Sequence, residues 1–204
     1  SAGRAFGYVA RATALALAEP SFMVWFERLE ALSKDAPPGA YARTLEELVR
    51  DASDDDLRLM LSKTLARFLE SDSGAIGAEA AAKLAWEAVL EQQGDDDEAL
   101  VSLDALYQRL EAWGDLRALL TKRAELADDP SHIRAFLLRS ADLELVHFRN
   151  RGMAIEALER ALDYRFESVV ADQLDVLYTD DGRLGDRISL AERELGSDSI
   201  SRAR

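Results

Sequence analysis

Cysteine is absent from the 204 residues, and histidine occurs only twice. Thiol nucleophiles, disulfides, Cys-based zinc sites and iron–sulfur ligation are excluded together. His132 and His147 stand fifteen positions apart near opposite ends of one helix-like segment, roughly 22 Å at 1.5 Å per residue, too far to share a metal. No glycine-rich phosphate loop and no Gly-x-Ser-x-Gly elbow is present. Acidic clusters exist, but they lack the spacing that chemistry needs. Asp54-Asp55-Asp56 is followed by Leu57-Arg58-Leu59, not by the further carboxylate one turn on that a magnesium–diphosphate site requires, and Asp180-Asp181-Gly182 has Leu177 where a calcium loop needs its first ligand. Helix capping is the ordinary role of such clusters. The sequence therefore calls for no catalytic residue, no metal and no cofactor, and predicts that the chain is not an enzyme.

Lysine is equally scarce, at 4 against 21 Arg. An Arg- and Ala-rich composition points to a GC-rich bacterial genome. Net charge is −14, and the second quarter of the chain carries thirteen acids against four bases. Without a basic stripe to displace phosphate counterions, nucleic acid is not expected as a partner; a basic protein or peptide is favoured. No window approaches the apolar length of a membrane span, and Ser1 to Pro20 lacks the basic run, long apolar core and cleavage-like end of an export signal. A cytoplasmic setting is favoured. The start without Met points to a processed protein or an excised domain.

What is present is helical periodicity. After Ser21, residues Phe22, Trp25, Phe26, Leu29 and Leu32 form one stripe, and after the Pro37-Pro38-Gly39 break Tyr41, Leu45, Leu48 and Val49 form another. Met23 and Val24 make the Phe22 to Phe26 stretch apolar nearly all round, which fits a buried helix or a dimer contact. Beyond residue 53 the stripes become regular. They run Leu57/Leu61/Leu65/Phe68; Ala81/Leu84/Ala88, with Trp86, Val89 and Leu90 alongside; Leu100/Leu103/Leu106/Tyr107/Leu110; and Trp113/Leu116/Leu120/Ala124. They continue with Ile133/Phe136/Leu137/Leu145; Ile155/Leu158/Leu162; Val170/Leu174/Leu177; and Leu184/Ile188/Ala191/Leu195. Asp54, Asp95 to Asp97, and Asp128-Asp129-Pro130 stand where first helices of hairpins begin, and breaks at Ser73-Gly74, Glu111 to Gly114, Asn150 to Gly152 and Asp181-Gly182 turn each hairpin.

A repeated phrase organises this pattern. Asp104-Ala-Leu-Tyr107, six residues, then Gly114-Asp115, returns 71 residues later as Asp175-Val-Leu-Tyr178, six residues, then Gly185-Asp186. Two helical hairpins of about 35 residues fill that interval, a length at which stacked helical units recur. The stretch 54–196 resembles degenerate tetratricopeptide repeats. Ala154, Leu158 and Ala161, and less well Ala82, Trp86 and Val89, match the Ala–large–Ala pattern of the second helix. Phe166 and Gly94 stand where Pro is usual, which leaves related helical-hairpin repeats open.

The expected fold is therefore all-α, an α-α superhelix of stacked helical hairpins with about eleven helices. Residues 1–53 read as an N-terminal capping segment, 54–196 as the array (hairpins 54–91, 95–128, 130–163 and 166–196), and 197–204 as a disordered tail. Repetition of Tyr107 and Tyr178, and of Asp104 and Asp175, argues for structural roles, as do the sizes of Trp25, Trp86 and Trp113. The resemblance implies that first helices line a concave face. Its register offers Glu98, Val101, Gln108 and Arg109, then Arg139, Leu143, Val146 and His147, then Asp172 and Thr179. Arg109 and Arg139 could fork onto a carboxylate, and alanine at Gln108 or Arg139 should weaken a groove-bound partner. The expected function is a non-catalytic scaffold or adaptor for a protein or peptide; the alternatives are a self-assembling module, a homo-oligomer, or less favoured an all-α enzyme or small-ligand protein.

Overall fold

The computed structural model describes the backbone of residues 2–71 and 77–202, with side chains over 3–71 and 77–196. Among these residues the fold is all-α, with eleven α-helices and no strand. They are α1 Ala2–Leu15, α2 Phe22–Ala31, α3 Ala40–Asp51, α4 Asp55–Ser71, α5 Ala78–Gln92, α6 Asp97–Arg109, α7 Trp113–Leu126, α8 Pro130–Leu143, α9 Arg151–Tyr164, α10 Ser168–Asp180 and α11 Leu184–Arg202. A 3₁₀ turn, Ser33–Asp35, follows α2, and a π-helical turn, Glu144–Phe148, continues α8. Within the chain, two compact units are Ser1–Leu110 and Glu111–Arg204. In each, neighbouring helices pack in hairpin-like pairs: α1 on α2, α3 on α4, α4 on α5 and α5 on α6 in the first; α7 on α8, α8 on α9, α9 on α10 and α10 on α11 in the second. The break expected at Ser73-Gly74 lies outside the described residues. The backbone of α11 continues through residues 197–202, and 203–204 lie outside the described residues.

In the first unit, Phe6, Phe22, Phe26, Leu29, Tyr41, Leu45, Leu48, Leu61 and Leu65 close one core. Tyr41 meets Phe6 and Phe68 edge-on, at ring-centroid distances of 6.5 and 4.9 Å. Thus α1 and α3 are built into the same core as α4. On α2, Phe22 and Phe26 turn inward while Met23 and Val24 are 49% and 52% exposed. On α5 the buried set is Ala78, Ala82, Trp86 and Val89. This corrects the leading stripe of the sequence: Ala81 and Ala88 are half-buried and Leu84 is exposed, because the buried face runs through Ala82 and the accompanying Trp86 and Val89. Trp86 is 1% exposed and its indole N–H donates to Glu70 Oε2 at 2.9 Å.

The second unit is closed by Ala141, Ala154, Ile155, Leu158, Leu162, Val170, Leu174, Leu177 and Tyr178. Helix α11 packs on α10. Leu190 faces inward, whereas Leu184, Ile188 and Leu195 are 67%, 62% and 72% exposed. The stripe of Leu184, Ile188 and Leu195 thus points away from that helix.

Caps appear at the predicted starts. Asp54, Asp96 and Asp129 accept from the backbone N–H of Leu57, Ala99 and Ser131 at 2.8, 3.0 and 2.8 Å, and Asn150 accepts from Met153 at 3.2 Å. Pro130 opens α8, where a missing N–H costs nothing. The starts of α7, α9 and α11 share a backbone device: Glu111, Arg149 and Gly182, each two positions before the helix, have φ of +52°, +52° and +69°. Left-handed φ is the natural habitat of glycine, and only one of the three is glycine. At this turn Trp113 N donates to Glu111 O at 2.9 Å, and Leu184 N donates to Gly182 O at 3.0 Å. The two bonds are 71 residues apart.

Candidate functional site

Most of what the repeated phrase encodes is internal structure. Tyr107, on α6, donates its hydroxyl to Glu87 Oε1 of α5 at 2.9 Å; Tyr178, on α10, donates to Glu159 Oε1 of α9 at 2.6 Å. Both rings are buried and each carries a cation, Lys83 Nζ at 5.4 Å from the Tyr107 centroid and the Arg183 guanidinium carbon at 4.8 Å from that of Tyr178. Burial, followed by the bond to Glu159, pushes the Tyr178 phenol well above its ordinary range. The aspartates diverge. Asp104 is buried and accepts from Gln108 Nε2 at 2.7 Å, whereas half-exposed Asp175 takes both Nε and Nη2 of Arg187, at 2.7 and 3.1 Å. That fork holds the Asp175 carboxyl below the usual carboxylate range.

A second element shares the same offset, although the sequence alone did not reveal it. Lys63 of α4 pairs with Asp96 at the start of α6, and Arg134 of α8 pairs with Glu167 at the start of α10, each at 2.5 Å. Each pair ties the first helix of one hairpin to the start of the next. Burial works against the Asp96 carboxylate, but the bonds from Lys63 and the Ala99 N–H hold it below its ordinary range. Glu98 is lowered chiefly by its bonds from Arg67.

Of the expected groove residues, Glu98, Val101 and Gln108 on α6 and Asp172 and Thr179 on α10 fall on related faces, which Ala105, Val169 and Val176, not expected from the sequence, complete. Glu98, Val101, Ala105 and Gln108 follow one another by three, four and three positions on α6, and Val169, Asp172, Val176 and Thr179 repeat that spacing on α10. The offset is again 71. On α6 this face is partly engaged within its own unit. Glu98 accepts Arg67 Nε and Nη2 at 2.5 and 2.6 Å, Gln108 bonds Asp104, and neighbouring Arg109 reaches Glu79 at 2.9 Å, while Val101 is 58% exposed. On α10 it is open: Val169 and Val176 are 78% and 60% exposed, Asp172 lies exposed between them, and Thr179 bonds only back to Asp175 O at 2.7 Å.

The α8 set is divided. Arg139 is half-buried, Leu143 is in the core, and Val146 is exposed on the π turn. His147 stacks on Trp113 at 3.7 Å between ring centroids. Beyond Leu143 the chain leaves α-helical register, so positions projected along an ideal helix no longer share a face. The sequence reading also missed Glu144, which is 1% exposed. Its signal was present, because Leu137, Ala141 and Glu144 recur at helical spacing and place a carboxylate on an apolar stripe.

Among the described residues, no group of three or more His, Cys, Asp or Glu could hold a metal ion, and no helix is long and apolar enough to cross a membrane. Searches against protein-family models and against curated proteins found no match. Among solved structures, the chain is similar to the crystal structure of BtubC (BKLC) from P. vanneervenii, at 17% identity and a TM-score of 0.42, over 100% of this chain and 91% of that one.

Proposed function

We propose that this chain is a non-catalytic helical-repeat module of tetratricopeptide-like type that binds a protein or peptide, favouring a basic segment, through the faces of its first helices. The observation that carries the reading is the contrast between repeated positions. Tyrosines, clamp pairs and turns that recur at 71 residues are spent on internal packing, whereas the equivalent outward face of α10 presents Val169 and Val176, 78% and 60% exposed, around Asp172. Two apolar anchors flanking a carboxylate suit an amphipathic basic segment, and the net charge of −14 would speed its encounter. Fluorescence anisotropy with Lys/Arg-rich amphipathic peptides at low and moderate salt tests this. Saturable binding that weakens with salt and is lost in Val169→Asp/Val176→Asp is expected; equal binding of a scrambled acidic peptide would overturn it.

Self-assembly is favoured by a separate observation, the outward Leu184, Ile188 and Leu195 of α11. Sedimentation at rising concentration checks it. Mass should increase in the native chain and stay monomeric in Ile188→Lys; a concentration-independent monomer removes this second reading.

A further inference from the structure

A cavity of about 150 Å³ lies among α7, α8 and α9, inside the second unit. Its walls are part apolar, with Leu120, Phe136, Leu137 and Met153, and part polar, with Thr121, Ser140 and Glu144 on the same lining. Glu144 begins the π turn, and its peptide oxygen accepts from Asn150 N at 2.9 Å across the left-handed Arg149. The carboxylate is almost fully buried. One oxygen, Oε1, sits 3.6 Å from Arg117 Nη1, within ion-pair range but beyond a hydrogen bond; the other, Oε2, has no hydrogen-bond partner. Burying an acceptor without a donor is costly, and π turns within helices are frequent at functional sites.

We propose that this cavity binds a primary ammonium group on an aliphatic stem, with Glu144 Oε2 as its acceptor. The chemistry of the site selects that ligand. A single unpartnered oxygen suits a compact point donor better than the planar fork of a guanidinium, which needs two. The apolar part of the wall matches a methylene stem, and the exposed lining carries Glu125 and Glu156 against one cation, Arg160, which leaves it net acidic. Thr121 already donates its hydroxyl to Arg117 O at 3.1 Å, so its remaining capacity is to accept, as an ammonium requires. A lysine side chain of a partner and a free alkylamine share this chemistry. The inference goes beyond the proposed function and does not depend on it, because the cavity lies apart from the outward face of α10.

The test is a two-dimensional NMR titration of the full chain with n-butylammonium, with n-butanol as the neutral isostere at matched ionic strength. Saturable shifts at Thr121, Ser140, Glu144 and Met153 are expected, with n-butanol at least about tenfold weaker, the discrimination of a charge-assisted hydrogen bond. Glu144→Gln should weaken the amine by a similar factor. Met153→Trp, at a position 48% exposed on the lining, should obstruct entry while leaving the carboxylate in place, so the test survives if Glu144→Gln fails to fold. A short lysine peptide that matches n-butylammonium assigns the site to a partner's side chain; one that fails where the free amine binds assigns it to small amines. Equal binding of butanol, absence of saturation, or undiminished amine binding in Met153→Trp would overturn the proposal.

Discussion

Removing one hydroxyl from each copy of the repeated phrase should weaken the two units equally. Tyr107→Phe and Tyr178→Phe keep the buried ring and the cation lying on it, and delete the bonds to Glu87 and Glu159, 2.9 and 2.6 Å long. A hydrogen bond to a charged acceptor contributes about 1.5–3 kcal/mol, and partial exposure of both carboxylates lowers this to about 1–2 kcal/mol. With units of roughly a hundred residues, each kilocalorie shifts the midpoint by about 4–8 °C. Calorimetry of the two single variants and the double variant reads the shift, and hydrogen exchange assigns it to residues before or after 110. The pairs share no partner, so the losses should add to within about 0.5 kcal/mol. Melting of both variants within about 1 °C of the native chain would refute the argument that the phrase is a packing device. A loss in one copy alone would refute the equivalence of the copies.

Other consequences follow from particular residues. Glu111→Gly should stabilise by about 0.5–1 kcal/mol, because glycine relieves a left-handed φ at some cost in unfolded-state entropy; a lower thermal midpoint would count against it. Trp86→Ala, at the centre of the α4–α5 contact, should cost about 3–5 kcal/mol in urea unfolding, and a cost below about 1 kcal/mol would show that the site collapses freely. Acid should destabilise the first unit in a defined window. The folded-state values of Asp96 and Glu98 lie below their unfolded ones, so their contribution is complete above the ordinary carboxylate range, near pH 4, and is lost as pH falls through the depressed values. Thermal midpoints between pH 7 and pH 2 should therefore fall on the acid side, less steeply in Arg67→Gln; an identical acid limb would remove Glu98 from the account.

Helices, caps and the hairpin-like packing of neighbours within each unit were legible because apolar spacing and Asp-rich starts are local signals. The repeat was legible through Tyr107 and Tyr178, whose rings had to recur, but the clamp pairs were not, because Lys63/Asp96 returns as Arg134/Glu167 with a different base and a different acid. The left-handed turns were hidden for a similar reason: Gly182 announces one, while Glu111 and Arg149 do not. On α11 the sequence showed a stripe but not its direction, since an apolar face carries no mark of whether a neighbour covers it. The register that the resemblance implies was projected along ideal helices. It failed past Leu143, where the π turn inserts itself and no residue type in Glu144 to Phe148 signals it.

The measurement that bears most directly on a partner-binding module is affinity capture from native lysate at low and moderate salt, with mass spectrometry of what is retained. The native chain and Val169→Asp/Val176→Asp would be compared after both are shown to melt alike. The account predicts a specific partner that is held at low salt, weakened at moderate salt and absent from the variant; recovery of the bait alone, or a partner retained equally by both chains, would contradict it.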